Sequence, residues 1–202
     1  MVRFYKYILF IYFFSLLISS DNYIDIITTN DVHGSIDEQK ANFMNPNHPP
    51  ILICGSGFYK YVKDLKQETD NNNLLILDGG NFFQGHPLGI ADSGKVMIDW
   101  MNKVGYNALV PGYYDFIFGI ENLVQLSERA NFNFLSANLF YKDSEKYVFK
   151  PYEIFEMEDI KIGVLGIINP NLNNLVLPQN LKNIQIKDPI KSMNEIAVEL
   201  KD

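Results

Sequence analysis

The sequence predicts a layered α/β protein built around a mostly parallel β-sheet. Short apolar runs of strand type alternate along the chain with amphipathic stretches of ten or more residues, the order expected of β–α–β units. Polar and Gly-rich segments follow several of these runs, and in such sheets the functional crevice lies at the carboxyl ends of the strands. A hydrophobic fraction of 47% with 20% charged residues supports a globular protein and excludes a disordered chain.

The predicted strands are short and apolar. The first lies within 23–30 and ends in a polar cluster, and the run 74–77 is typical of a buried strand. Further strands are expected at 108–110, 132–137 and 160–168, the last of which could form a hairpin with 149–157. Because 160–168 is strongly apolar, it is expected to have neighbours on both sides.

The predicted helices show apolar residues at helical spacing. They are expected at 56–68, at 95–104 with Gly105 as the C-terminal cap, at 120–130 and at 189–201. The segment 34–50, which contains three prolines, is predicted to be a long loop.

The first 20 residues have the layout of a secretory signal peptide. Arg3 and Lys6 precede an apolar run at 7–18, and Ser19 and Ser20 supply small residues for cleavage. The alternative is a transmembrane anchor, but the run is short against the ~20 residues needed to span a bilayer. We therefore expect export to a periplasm or the extracellular space, with no stable membrane anchor after cleavage.

Charge and cysteine content exclude other classes. A net charge of −7 argues against a nucleic-acid partner, since phosphate neutralisation needs a basic face. The lone Cys54 excludes an internal disulfide framework and a Cys-based zinc finger.

A carboxylate and an imidazole lie at the end of the first predicted strand. Asp31 and His33 are two residues apart where the strand turns into a loop, so both side chains could reach one cation. The pattern is short, and a solvated Asp beside a loop His gives the same sequence.

Three motifs in order resemble one known family. They are TNDVHG at 29–34, LDGGNFFQG at 77–85 and PGYYDFIFG at 111–119. Together they are similar to the secreted 5′-nucleotidase branch of the calcineurin-like metallophosphoesterases. The resemblance extends over 23–202 and implies a four-layer αββα sandwich. It also implies two divalent metals at the strand ends, which polarise a nucleotide phosphoester and activate a water for in-line attack.

The resemblance assigns metal positions residue by residue. Asp31 and His33 match the first two ligands, and Asn30 precedes them in the motif. The position of the Asp that bridges both metals is Asn81, whose amide brings no negative charge. Because two divalent ions repel strongly, this substitution is expected to weaken or abolish the two-metal state.

The third motif departs further from the family. Tyr113 stands at the position of an Asn ligand, and Tyr114 stands at the position of the His that orients the phosphate. A phenol has an ordinary pKa of about 10, so neither tyrosine is a ready ligand at neutral pH. Tyr114 could donate one hydrogen bond to a phosphate oxygen. His48 and His86 do not replace the lost His by motif, although His86 could touch substrate and His48 is expected in a solvated loop.

The resemblance also implies further histidine ligands and a nucleoside-binding domain beyond this sequence. We therefore expect 21–202 to be the N-terminal portion of the metallophosphoesterase domain, an incomplete sandwich that lacks its C-terminal strands. Such a portion is expected to be marginally stable or aggregation-prone when made alone.

Three hypotheses remain open from the sequence. The first is a phosphoesterase that is impaired as this chain and would need a missing C-terminal half as partner. The second is a non-catalytic binding module that holds one weakly bound cation or none. Its cation would rest on Asp31, His33 and Asp115, and its aromatic crevice on Tyr113, Tyr114, Phe82 and Phe83. The third is a truncated gene fragment.

Overall fold

The computed structural model describes residues 23–68, 73–157 and 160–200. The strands of this part of the chain are β1 (Asp25–Thr29), β2 (Gln39–Lys40), β3 (Ile51–Leu52), β4 (Leu74–Asp78), β5 (Ala108–Leu109), β6 (Asn133–Phe134), β7 (Leu139–Tyr141), β8 (Tyr152–Met157), β9 (Ile160–Leu165) and β10 (Ile184–Ile186). The helices are α1 (Cys54–Glu68), α2 (Pro87–Ile90), α3 (Lys95–Val104), α4 (Ile120–Arg129), α5 (Leu172–Leu175) and α6 (Pro189–Glu199), with 3₁₀ turns at Tyr113–Phe116 and Pro178–Leu181.

A four-stranded parallel sheet forms the centre of the fold. Its strands lie in the order β1-β4-β5-β6, and each pair is parallel. The connections from β1 to β4, from β4 to β5 and from β5 to β6 contain α1, α3 and α4 respectively. The predicted α/β class with a parallel sheet is therefore confirmed.

The two faces of this sheet are covered differently. Ile27 pairs with Ile76, and both pack with the main hydrophobic cluster that includes residues of α1, α3 and α4. Thr28 pairs with Leu77 on the opposite face, because neighbouring residues of a strand point to opposite sides. On that second face Ile26 is 55% exposed.

A cavity of about 420 Å³ lies where the second face of the sheet meets the antiparallel hairpin of β8 and β9. It is lined by residues at the ends of β1, β4 and β5, including Thr28, Leu77 and Ala108, and by Val164 and Leu165 of β9. Its lining is mostly apolar, so the sheet is incompletely covered here within the part of the chain that the structure describes.

Helix α3 shows why the helical predictions succeed. Met97, Ile98 and Met101 recur at helical spacing and are buried. Gly105 follows the last turn with φ of 89° and donates its N–H to the carbonyl of Met101, as a left-handed C-terminal cap does. The predicted limits of this helix are confirmed, and those of α1, α4 and α6 are confirmed to within two residues.

Strand predictions were less accurate. The hairpin of β8 with β9 is confirmed as an antiparallel pair. The expectation that 160–168 is buried between two neighbours is wrong, because β9 pairs with β8 alone among the described strands and its residues are exposed or half-buried.

The predicted strand 132–137 is shorter than expected. Beyond β6 the backbone leaves the sheet: the Ser136 N–H binds the carbonyl of Lys150, and the Ala137 N–H binds that of Gly166. The predicted loop 34–50 contains the two residues of β2, which pair with β3.

The proposed signal peptide, 1–20, lies outside the described residues. None of the helices in 23–68, 73–157 and 160–200 has the length and apolar character needed to cross a membrane.

Candidate functional site

Two loops meet at the carboxyl ends of β1 and β4. The strands end in register, with Thr29 opposite Asp78, so the loops that follow begin at the same edge of the sheet. The N–H groups of Asp31, His33 and Gly34 then donate to the carbonyls of Gly80, Asn81 and Phe82, at 2.8–3.0 Å. These backbone bonds hold the first two sequence motifs side by side.

Three residues of the predicted site adopt left-handed backbone geometry. The φ angles of Asp31, His33 and Asn81 are 53°, 52° and 57°. Such angles are uncommon outside glycine, and they concentrate at binding and active sites, where the surrounding contacts over-determine them. Four non-glycine residues outside the predicted site, Cys54, Ser93, Glu145 and Asn183, also have positive φ, so this geometry is shared by the crevice without being unique to it.

Asp31 and His33 converge as the spacing predicted. The Nε2 of His33 lies 3.6 Å from Oδ1 of Asp31, and both side chains are partly exposed. The Nδ1 of His33 is hydrogen-bonded to the carbonyl of Gln84, so Nδ1 carries a proton and Nε2 is the ring nitrogen that faces the crevice and Asp31. A histidine held in this way is the usual arrangement of a metal ligand.

Asn81 turns its amide nitrogen, rather than its oxygen, towards Asp31. Its Nδ2 donates to Oδ1 of Asp31 at 2.7 Å, and its Oδ1 accepts from the backbone N–H of Tyr114 at 3.0 Å. The N–H of Tyr114 needs an acceptor and the carboxylate of Asp31 needs a donor, so the reversed amide would satisfy neither. An amide nitrogen has no lone pair to offer a cation, so the Asn81 atom that faces Asp31 is not a metal ligand.

Tyr113 and Tyr114 form an aromatic pair at the mouth of the crevice. Their ring centroids are 4.1 Å apart, and the Tyr114 ring meets His33 edge-on at 5.4 Å. Tyr114 is 38% exposed. The hydrogen bond with Tyr114 raises the pKa of Tyr113, and partial desolvation and the charge of Asp31 act in the same direction. The Tyr113 phenol is therefore held neutral and offers no anionic oxygen.

Asp115 has a structural position. It is fully buried, and its two oxygens accept from the N–H groups of Gly112, Asn81 and Phe82 at 2.6–2.9 Å. Burial raises its pKa to about 7, although these hydrogen bonds act in the opposite direction. The hypothesis that Asp115 helps to hold a cation in the crevice is wrong, because its oxygens clamp the second and third motifs together. A Cβ at Gly112 would lie 2.3 Å from Oδ1 of Asn81, so the close approach of the Gly112 backbone to the Asn81 side chain requires glycine.

One other expectation about the crevice needs correction, and the surroundings of the remaining two histidines can be described. Phe82 and Phe83 are fully buried and pack in the hydrophobic core, so they do not line an aromatic crevice. His86 faces a different loop: its Nδ1 lies 3.6 Å from Oδ1 of Asp37 and accepts from the N–H of Leu88 at the start of α2. His48 is exposed, as expected.

A buried polar network below the crevice was not anticipated from the sequence. The hydroxyl of Thr29 donates to Oδ2 of Asp78 at 2.6 Å and lies 2.9 Å from the hydroxyl of Tyr106. The only signal in the sequence is that both predicted strands end in polar residues, Thr29 and Asp78. Their side-by-side register becomes visible only in the folded sheet.

The residues present do not fit a two-metal centre. Among the described residues, no group of three or more His, Cys, Asp and Glu side chains comes together in a way that could hold a metal ion. At the family positions only Asp31 and His33 offer ligand atoms, since Asn81 offers a donor and Tyr113 a neutral phenol. One carboxylate is too little charge to hold two divalent ions close together.

The amino-acid sequence of the chain is similar to those of known 5′-nucleotidases. The chain is 32% identical over 178 residues to a 5′-nucleotidase from Vibrio cholerae, an alignment that covers 88% of this chain and 31% of that protein. The chain thus spans about a third of the length of this relative. No protein-family model matches the sequence.

Solved structures share the fold at low identity. The calcineurin-like phosphoesterase YfkN from Bacillus subtilis superimposes with a TM-score of 0.70 at 21% identity, over 88% of this chain and 58% of that one. The sulfate thiohydrolase SoxB from Thermus thermophilus superimposes with a TM-score of 0.77 at 15% identity, over 91% of this chain and 42% of that one. At these identities the likeness concerns the fold alone.

Proposed function

We propose that the chain is a relative of the 5′-nucleotidases that corresponds to the N-terminal part of their calcineurin-like metallophosphoesterase fold, and that its catalytic centre is impaired in these 202 residues. The reaction class of the scaffold is the hydrolysis of phosphomonoesters, with nucleotides as the expected substrates. One observation carries the proposal: at the family's metal positions only Asp31 and His33 present ligand atoms.

The electrostatics of the crevice supports the proposal of an impaired site. Phosphoryl transfer depends on positive charge or oriented donors that neutralise the charge on the phosphoryl oxygens. Here Asp31 places a carboxylate at the mouth of the crevice, and none of the described Lys or Arg side chains pairs with it. An anionic phosphate would meet repulsion where the reaction needs attraction. Asp31 and His33 could hold at most a single, weakly bound cation.

The remaining parts of an active enzyme would have to come from outside these 202 residues. The chain matches 31% of its nucleotidase relative, and we propose that 21–202 corresponds to the N-terminal portion of the catalytic domain. A complementary C-terminal segment is the partner that this proposal implies. We also propose export through a cleaved signal peptide at 1–20, on the strength of its sequence pattern.

A hydrolysis assay tests the proposal. We expect the chain to release no more phosphate from a nucleoside monophosphate or from p-nitrophenyl phosphate in manganese than its Asp31→Ala variant does. Asp143→Ala, which removes an exposed carboxylate outside the site, is the matched control. Metal-dependent hydrolysis that exceeds background and disappears only in Asp31→Ala would contradict the proposal.

A second candidate function is ring binding without catalysis. The exposed Tyr114 ring lies tilted against the Tyr113 ring and meets His33 edge-on, and this aromatic surface is a candidate contact for a nucleoside base or another flat ring. We expect adenosine to quench tyrosine fluorescence and to bind at least roughly tenfold more weakly to Tyr114→Ala, a difference of about 1.4 kcal/mol. Tyr61→Ala, which removes an exposed tyrosine of α1, is the control. Equal affinity in the chain and both variants would exclude this candidate.

A further inference from the structure

We propose that Asn81 does what a bound metal ion would otherwise do for the structure: its hydrogen bonds hold the loops of the crevice together. The stability of this chain therefore does not depend on divalent cations. The inference rests on the proposed function, in that it concerns the same site. Its test measures stability and metal binding, so it is separate from the test of hydrolysis.

Asn81 connects the three segments that form the crevice. Its side chain bonds to Asp31 after β1 and to the backbone of Tyr114 after β5. Its backbone N–H donates to buried Asp115, and its carbonyl accepts from the N–H of His33. A single residue therefore ties all three motifs by four hydrogen bonds.

The polarity of these bonds is what makes a cation unnecessary. The Nδ2 of Asn81 supplies a partial positive charge to Oδ1 of Asp31, and the amide of Asn30 supplies a second one to Oδ2 at 3.2 Å. The carboxylate is thus solvated by two amide donors of the chain itself. A cation that approached Asp31 and His33 would compete with the Asn81 amide for Oδ1 of Asp31.

The substitution Asn81→Asp would reverse this balance. Its carboxylate could still accept from the N–H of Tyr114, but on the other side two carboxylates would stand at the present Asn81–Asp31 distance of 2.7 Å. Such a pair is costly without a cation between the two groups. With His33 nearby, the same pair would supply a three-residue ligand set for a divalent ion.

The test is thermal unfolding of the full chain in EDTA and in millimolar manganese chloride. We expect the melting temperature of the unaltered chain to change by less than about 1 °C between the two conditions. Asn81→Asp should melt at least roughly 3 °C lower in EDTA and regain most of that loss in manganese. Manganese titration by calorimetry should show at least roughly tenfold tighter binding to Asn81→Asp than to the unaltered chain.

Two further variants keep the test decisive. Asn169→Asp adds the same charge at an exposed position, where the oxygen that accepts from Asn171 is retained, and it should behave like the unaltered chain. The exchange Asp31→Asn with Asn81→Asp restores one amide and one carboxylate across the contact. It should recover the EDTA stability lost in Asn81→Asp and show no stabilisation by manganese. This exchange decides the matter even if Asn81→Asp alone fails to fold.

Three outcomes would overturn the inference. They are stabilisation of the unaltered chain by manganese, equal melting of Asn81→Asp and Asn169→Asp in EDTA, and an exchange variant as unstable as Asn81→Asp. If the unaltered chain hydrolysed a phosphoester while manganese left its melting temperature unchanged, the proposed function would be overturned and this inference would stand.

Discussion

At the end of β4 the carboxylate of Asp78 is almost completely buried, with 4% of the residue exposed. It accepts from the hydroxyl of Thr29 and from the N–H of Gly80 at 2.8 Å. Burial raises its pKa to about 6, and these two hydrogen bonds act in the opposite direction. Asp78 is therefore a single residue whose protonation is coupled to folding.

Stability should fall as the pH rises through the range in which Asp78 ionises. The pKa is about 6 in the folded chain against 3.8 as its ordinary value, so the folded state binds the proton more tightly. The resulting stabilisation is complete below pH ~4 and is lost as the pH rises past 6, by up to about 3 kcal/mol. Urea unfolding at pH 4, 5, 6 and 8 measures the summed slope of Asp78 and of Asp115, whose pKa burial raises to about 7, so the share of Asp78 comes from a variant that lacks its carboxyl group.

Asp78→Asn is the variant that isolates this contribution. The hydroxyl of Thr29 can turn its proton towards Tyr106 and accept from the new amide, while the remaining oxygen still accepts from Gly80. We expect Asp78→Asn to lose less stability than the unaltered chain between pH 4 and pH 8. Identical slopes in the two proteins would show that Asp78 does not titrate in this range.

At the scale of elements, helix α3 places a buried and an exposed interaction next to each other. Ile98 is fully buried in the core, whereas the following residue, Asp99, forms a surface ion pair with Arg129 of α4 at 2.6 Å. Ile98→Ala should destabilise the chain by about 3 kcal/mol, since it removes buried methyl groups and leaves a cavity. Asp99→Ala should cost much less, because solvent screens an exposed pair. Urea unfolding of both variants measures the contrast, and equal losses would contradict it.

The elements also show what the sequence could predict. Helix α3 was predictable to the residue, because its burial pattern and its capping glycine are local features. Strand β9 was misjudged, because an apolar composition does not reveal how many neighbours a strand finds. The buried positions of Phe82 and Phe83 were missed for the same reason, since a motif places residues near a site without stating which way they point.

In the site, too, features set by local sequence were predictable and features set by the folded sheet were not. The convergence of Asp31 and His33 followed from their spacing at a strand end. The clamp formed by Asp115 did not, because its partners are backbone N–H groups of Asn81, Phe82 and Gly112, brought together only by the parallel sheet. A side chain that binds the backbone leaves no pattern of residue types for sequence reasoning to detect.

For the whole molecule, the shape of the crevice and its chemistry have separate physical origins. The shape is set by parallel strands that end in register, by backbone bonds between the loops and by buried Asp115. None of these depends on the side chains of Tyr113 or Tyr114, and Asn81 contributes to the shape through donors and acceptors that need no metal. The scaffold could therefore retain its left-handed loop geometry while the residues facing the crevice changed. A shared fold thus carries little information about shared chemistry, which depends on the side chains that the backbone leaves free.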